Sequence, residues 1–422
     1  MSSVDSTHRR AARSILVNGR VLRWPAQPVV VVCVDGCDPA YLAAAREAGV
    51  VPTLERMMGD GFAGTALAAM PTFTNPNNVS IVCGAPPSVH GVSGNYYLER
   101  ETGREIMMLD ASLLRAPTIL ARFSEAGAAV VAVTAKDKLR QALGHGVRGI
   151  VFSAERADVC TEAEHGITGV VELVGRKAPD PYSADLSLFV LDAGLRLLET
   201  RRPDLMYLSL SDYVQHKSAP GSPEANAFMH AVDGRLGRLA ALGARLGVIA
   251  DHGMSDMALA DGRPNVLYLG DRLGDAFGHG AARVICPITD PFVRHHGALG
   301  GFVRVYVMRP GLELDEVLRY IRALPGVALA LAREAACAEF DLPVDREADI
   351  VVVGERGRAL GSRAAEHDLS GLVGERLRSH GGLAEQPVPF ILSRPLTRAG
   401  AARAARSLRN YEIFEYALNE CE

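Results

Sequence analysis

The run VVVVCVDG at residues 29–36 constrains this chain more than any other stretch. A β-branched run without polar alternation reads as a strand covered on both faces, the condition of a parallel sheet between helices. Three further segments have the same character: GAAVVAVTAKDK at 127–138, DLMYLSLSDYVQH at 204–216 and LGVIADHG at 246–253. Helical patterns lie between them, at Pro39–Ala48, Ser183–Glu199 and Glu224–Leu242. Alternating strand and helix predicts an α/β fold, a doubly wound and mostly parallel sheet. Binding sites in such sheets form beyond the C-terminal ends of the strands.

Those ends carry the chemistry. Asp35 closes the first strand, Lys136 and Lys138 the second, Asp212 the third, and Asp251 with His252 the fourth. His216 follows Asp212 by four residues. One aspartate at a strand end is ordinary. Three at one sheet edge, two with a nearby histidine, form a metal-ligand set. The dipeptide His-Gly does not discriminate, since seven of twelve histidines precede glycine. Context does. His252 follows Asp251 at a strand end, and His380 sits on the SHGG loop before the apolar run PVPFIL.

The stretch MPTFTNPNNVSIVCG, residues 70–84, puts Thr72 and Thr74 on an Asn/Pro loop ahead of an apolar segment. One reading is a capped helix, with Thr74 or Asn75 as N-cap and Pro76 in the first turn. Asn77 is a further candidate cap. The other reading is a nucleophilic hydroxyl at a helix N-terminus, where backbone N–H groups favour an anion. The loop by itself leaves both open.

At 422 residues, 48% of them hydrophobic and 22% charged, the chain can bury a large core. Its net charge of −4 gives no basic footprint for nucleic acid. Seven scattered cysteines without a CxxC pair read as reduced thiols of a cytoplasmic protein, with Cys33 and Cys37 as packing residues. The N-terminus lacks an apolar signal core, and no run is long enough to span a membrane. Asn18-Gly19, between apolar runs, signals a type I′ hairpin. Residues 265–345 change character: GGFVRVYVM at 300–308 reads as a strand, LDEVLRYIRAL as a helix and VALALA as either. They are expected to form a small α+β cap on a core made of 1–264 and 346–422, with ADIVVVGE at 348–355 returning to the core sheet.

The segments VVCVDGCDP, MPTFTNPNNVSIVCGAPPSVHGVSGN, SDYVQH, ADHGMSD and SHGG, in this order, resemble the alkaline phosphatase superfamily. They look most like its nucleotide pyrophosphatase/phosphodiesterase branch. Within it, TAKDK resembles the phosphonoacetate hydrolase family, which splits the carbon–phosphorus bond of phosphonoacetate into acetate and phosphate. The resemblance implies two zinc ions per subunit. Carried onto this chain, one would take Asp212, His216 and His380, and the other Asp35, Asp251, His252 and the Thr74 hydroxyl. It implies Thr74 as the nucleophile, through a phosphothreonine intermediate, and leaves Thr72 a structural role. Lys136 and Lys138 would hold the carboxylate of a small anionic phosphonate, provided an extended chain turns both to one side. Asn95 is a candidate donor to the phosphonyl oxygens, and Arg294 and His295 of the cap are candidate substrate contacts. A homodimer is compatible with this reading. A zinc-dependent phosphodiesterase or nucleotide pyrophosphatase shares every ligand but needs an apolar slot for a base. A sulfatase needs a modified Cys or Ser in a C/S-x-P-x-R context, which Thr74-Asn75-Pro76-Asn77 lacks. Cofactor-independent phosphoglycerate mutase uses serine. A non-catalytic zinc protein would have no reason to keep Thr74 with all the other ligands.

Overall fold

Val29–Cys33 is a fully buried strand at the middle of the molecule. The computed structural model describes residues 13–108, 111–288 and 296–422. The central sheet has seven strands, ordered Phe62–Leu67, Pro387–Leu392, Arg245–Ile249, Val29–Cys33, Leu205–Ser209, Val130–Thr134 and Ile150–Ser153. The last five pair in parallel, and Pro387–Leu392 runs antiparallel to both of its neighbours. The unalternating runs are therefore buried parallel strands, as their sequence predicts. Helices Ala184–Arg201 and Pro223–Ala241 carry buried apolar faces into the same core as the strands. Among the described residues, no helix is long and apolar enough to cross a membrane.

The predicted hairpin joins Ser14–Val17 to Arg20–Arg23, with positive φ at Asn18 (48°) and Gly19 (81°), as a type I′ turn requires. Cys33 and Cys37 are buried, and burial pushes the Cys37 thiol up to about 12, so both pack as inert apolar groups.

A second, four-stranded antiparallel sheet has the order Ala282–Ile285, Phe302–Val307, Ile350–Gly354, Val327–Ala332. Its core is a separate cluster that includes Phe302, Val305, Val317, Ile321 and Ile350. The run at 327–332, left open by the sequence, is a strand. The run over 348–355 corrects an expectation, because it forms an inner strand of this small sheet and does not rejoin the core. The small sheet thus draws on residues beyond the expected boundary at 345. A buried β-branched run looks alike in any covered sheet; only its long-range partners decide which sheet it joins.

Two cluster members tie this sheet to the loop ahead of the Thr74 helix. Met70 and Phe73 belong to the small-sheet core, and Phe73 packs edge-on against Phe302, 6.2 Å between centroids.

Candidate active site

The strand order sets the site. Arg245–Ile249, Val29–Cys33 and Leu205–Ser209 are adjacent, so the loops after them bring Asp251, Asp35 and Asp212 side by side. This is the carboxyl edge of the parallel strands, where open α/β sheets form clefts. Gly36 adopts φ +67°, and a Cβ there would stand 3.2 Å from the Cβ of Asp212, so only glycine lets the two loops approach this closely.

Helix Thr74–Cys83 begins beside these loops, with Phe73 as N-cap and no side-chain capping bond. Neither Thr74 nor Asn75 is therefore the cap; Thr74 is the first helical residue, half-buried, with its Oγ1 3.1 Å from His252 Nε2. The stabilising role falls to Asn77. Its Nδ2 reaches the carbonyls of Ala69, Pro71 and Phe73, and its Oδ1 accepts from Ala69 N and Asn410 Nδ2. Thr72 is buried and structural: its hydroxyl donates to Gly382 O and accepts from Gly381 N.

His216 and His380 flank Asp212, with Nε2 atoms 2.9 and 3.8 Å from Asp212 Oδ2. His252 Nε2 lies 3.2 Å from Asp35 Oδ1 and 3.7 Å from Asp251 Oδ2. The candidate ligand atoms of Asp212, His216 and His380 all lie within 4.8 Å of one another, as do those of Asp35, Asp212 and His252. Asp212 therefore adjoins both groups. Asp251 is held by Gly36 N, His252 N and Asn78 Nδ2 at 3.2, 3.0 and 2.9 Å.

These residues suit divalent metal ions on three counts. First, His216, His252 and His380 place Nδ1 against the backbone carbonyls of Arg378, Gly253 and Thr72, at 2.7, 2.9 and 2.7 Å. A carbonyl only accepts, so each Nδ1 carries a proton and each Nε2 faces the cluster, where a bound cation would take its lone pair. Second, Asp35 Oδ1 is buried and accepts no hydrogen bond. Third, burial and the neighbouring carboxylates of Asp212 and Asp251 push Asp35 well above the usual range. Burial depresses His252, but Asp251 and Asp35 outweigh it and hold the ring up to about 10. Such crowding of negative charge calls for cations. The donor set, imidazole with carboxylate, suits zinc and its first-row neighbours.

One pocket unites the cluster with the lysines. Asp35, Thr74, Asp212, His216 and His380 line it together with Asn95, Lys136 and Lys138. The backbone differs from the expected extended TAKDK. The strand ends at Thr134, Lys136 caps the next helix in extended conformation, and Lys138 lies in its first turn. Long flexible arms nevertheless bring both side chains to one pocket wall. Asn95 Oδ1 accepts from Asn75 Nδ2 at 2.7 Å, and its Nδ2 makes a long 3.3 Å bond to Ile288 O.

Arg294 and His295 lie outside the described residues. Their neighbour His296 lines the pocket, its ring 5.4 Å from that of His216. Sequence reasoning missed His296, Tyr182, Tyr213 and Asn78. Asn78 binds Thr74 O and Asp251 Oδ2 while accepting from Tyr207 Oη and Ser209 Oγ. Its i+4 spacing from Thr74 was the available signal, since that spacing stacks two residues on one helix face. Nothing local singles out the other three.

Comparison with known proteins agrees with this geometry. Residues 29–360 match the family model described as type I phosphodiesterase / nucleotide pyrophosphatase. Crystal structures of phosphonoacetate hydrolase from Sinorhizobium meliloti 1021, in complex with phosphonoformate and with phosphonoacetate, superpose with a TM-score of 0.92 at 50% identity, covering 96% of this chain and 98% of that one. A curated Penicillium oxalicum protein named phosphonoacetate hydrolase is 62% identical over 42 residues, so the match spans 10% of this chain and only 58% of that relative's length. Murine ectonucleotide pyrophosphatase/phosphodiesterase 5, at 18% identity and a TM-score of 0.62 over 93% of this chain and 95% of that one, shares the fold.

Proposed function

The chain belongs to the type I phosphodiesterase / nucleotide pyrophosphatase family, whose fold is alkaline-phosphatase-like, and from that premise we propose that it hydrolyses the carbon–phosphorus bond of phosphonoacetate. The products are acetate and phosphate. The observation that carries the reading is the shared pocket: Lys136 and Lys138 line it with Thr74, Asp35, Asp212, His216 and His380. The relatives at 50% identity, named for this activity, support the same substrate.

In this reading Asp212, His216 and His380 would hold one zinc ion, and Asp35, Asp251, His252 and Thr74 a second. When bound, such ions would supply Lewis acidity that makes the threonine hydroxyl easier to deprotonate and offsets the charge of the phosphonyl oxygens. Thr74 Oγ1 gives up its proton to solvent and attacks phosphorus, the P–C bond breaks, and its electron pair passes to carbon as the enolate of acetate. Lys136 and Lys138 grip the carboxylate and offset the charge that moves onto it. Water protonates the carbon, and a second water cleaves the phosphothreonine to release phosphate and restore the hydroxyl. Asn95 and the amides at the start of the Thr74 helix orient the phosphonyl oxygens.

The test is phosphate release from phosphonoacetate by zinc-loaded protein, beside a para-nitrophenyl phosphodiester and the Lys136→Ala/Lys138→Ala double variant. Turnover of phosphonoacetate that collapses in the variant, with diester activity weak or spared, is the expected result. Good diester turnover with no phosphonoacetate hydrolysis would make this a phosphodiesterase.

A further inference from the structure

The chain uses lysine sparingly. Of its 45 basic residues only four are lysines, at positions 136, 138, 177 and 217, and two of these stand in the pocket wall. Lys136 is held there from outside its own helix. Its Nζ donates to Pro181 O at 2.7 Å and lies 4.7 Å from the centroid of the Tyr182 ring. Glu155 Oε1 stands 3.9 Å away, while Glu155 Oε2 accepts from Asp137 N. Pro181 and Tyr182 themselves line the pocket, on the loop that precedes helix Ala184–Arg201. Tyr182 is 51% exposed, so its ring adds little to the core.

A lysine arm has four rotatable bonds and costs conformational entropy to fix. A carbonyl and an aromatic face, both supplied by one neighbouring loop, limit where the ammonium can go before substrate arrives. Preorganisation of this kind strengthens binding without a new contact to ligand. We infer that Tyr182, with the Pro181 carbonyl, is a positioning residue that aims Lys136 and thereby sets the preference for phosphonates bearing a carboxylate. The inference rests on the proposed function for its substrate, and on the Lys136 contacts alone for its geometry.

Two measurements separate these parts. Kinetics compare wild type with Tyr182→Leu and Tyr182→Phe, using phosphonoacetate as substrate and methylphosphonate, which has no carboxylate, as competitive inhibitor. Tyr182→Leu is expected to lower kcat/KM for phosphonoacetate about fivefold, with the inhibition constant of methylphosphonate within about twofold of wild type. Tyr182→Phe keeps the ring and should stay near wild type. Equal kcat/KM in all three proteins, or equal weakening of both ligands, overturns the inference. The second measurement is NMR of protein whose lysines carry ¹³C-methyl groups, with Lys136 assigned from Lys136→Arg. A ring-current shift of the Lys136 methyls that persists in Tyr182→Phe and vanishes in Tyr182→Leu is expected; no difference among the three overturns the inference. If wild type fails to hydrolyse phosphonoacetate, the proposed function falls and the selectivity inference with it, while the NMR still decides whether Tyr182 holds Lys136.

Discussion

The imidazole rings of His252 and His380 are stacked, with centroids 3.6 Å apart and planes 9° from parallel. They come from different loops, and each turns Nδ1 to a carbonyl and Nε2 to the carboxylates. Burial first, and then the neighbouring His252 and His216 rings, hold His380 well below its usual range. Two stacked rings cannot both be protonated cheaply, and a neutral Nε2 is the form that binds a metal.

Removal of metal should therefore abolish activity and loosen the fold. Dialysis against a chelator is expected to stop phosphate release, with zinc restoring it. At a hundredfold excess over Kd a bound ion stabilises by about 2.7 kcal/mol, so calorimetry should record a lower Tm for the stripped protein. In His380→Ala the zinc content measured by mass spectrometry should fall from about two ions per chain towards one. An unchanged content would remove His380 from the ligand set.

Thr74→Ala should reduce kcat/KM by about a thousandfold or more while the protein remains folded, since the loss is that of the attacking atom. Thr74→Ser keeps the hydroxyl and should retain measurable turnover. With substrate, rapid acid quench of wild type should trap phosphate on Thr74, read by mass spectrometry of the peptide. Full activity in Thr74→Ala would exclude it as nucleophile.

Asn78 does not line the pocket, yet it bridges Thr74 O to Asp251 Oδ2. Asn78→Ala should lower metal affinity or activity about 10- to 100-fold, the usual effect of losing a group that orients a ligand. Titration with a fluorescent zinc chelator measures the affinity directly. Asn78→Asp should do worse, because it sets a further carboxylate against Asp251.

His90 makes stability pH-dependent away from the pocket. It is fully buried, accepts from Val92 N at Nδ1 and pairs its Nε2 with Ser80 Oγ at 2.8 Å. Burial lowers it to about 3, whereas the unfolded chain titrates near the ordinary 6.5. Below pH 6.5 the unfolded state takes up a proton that the fold refuses. The stability is complete above that pH and is lost as pH falls towards 3. Between pH 7.5 and 5.5 the loss is about 1.4 kcal/mol. Urea denaturation of wild type and His90→Gln at both pH values should show this extra loss in wild type only.

Much of the site was legible because its signals are local. A β-branched run names a buried strand, an aspartate after it marks the strand's end, and Asp212 with His216 is an i, i+4 pair within one turn. Thr74 was legible as a helix start but not as an uncapped first residue, since the polar residue that stabilises the turn proved to be Asn77. The run at 348–355 was assigned to the wrong sheet because its composition suits either.

By itself, then, the sequence determined the four buried strands that begin the runs at 29–36, 127–138, 204–216 and 246–253, and which carboxylates and imidazoles stand at their ends, since both follow from interactions within a few residues. Only the tertiary structure decided that Arg245–Ile249, Val29–Cys33 and Leu205–Ser209 are neighbours, that His380 stacks on His252, and that Tyr182 reaches Lys136. Strand order and loop packing are settled by contacts between residues far apart in the chain. Their free energy depends on which partner is present, and no local pattern encodes the partner.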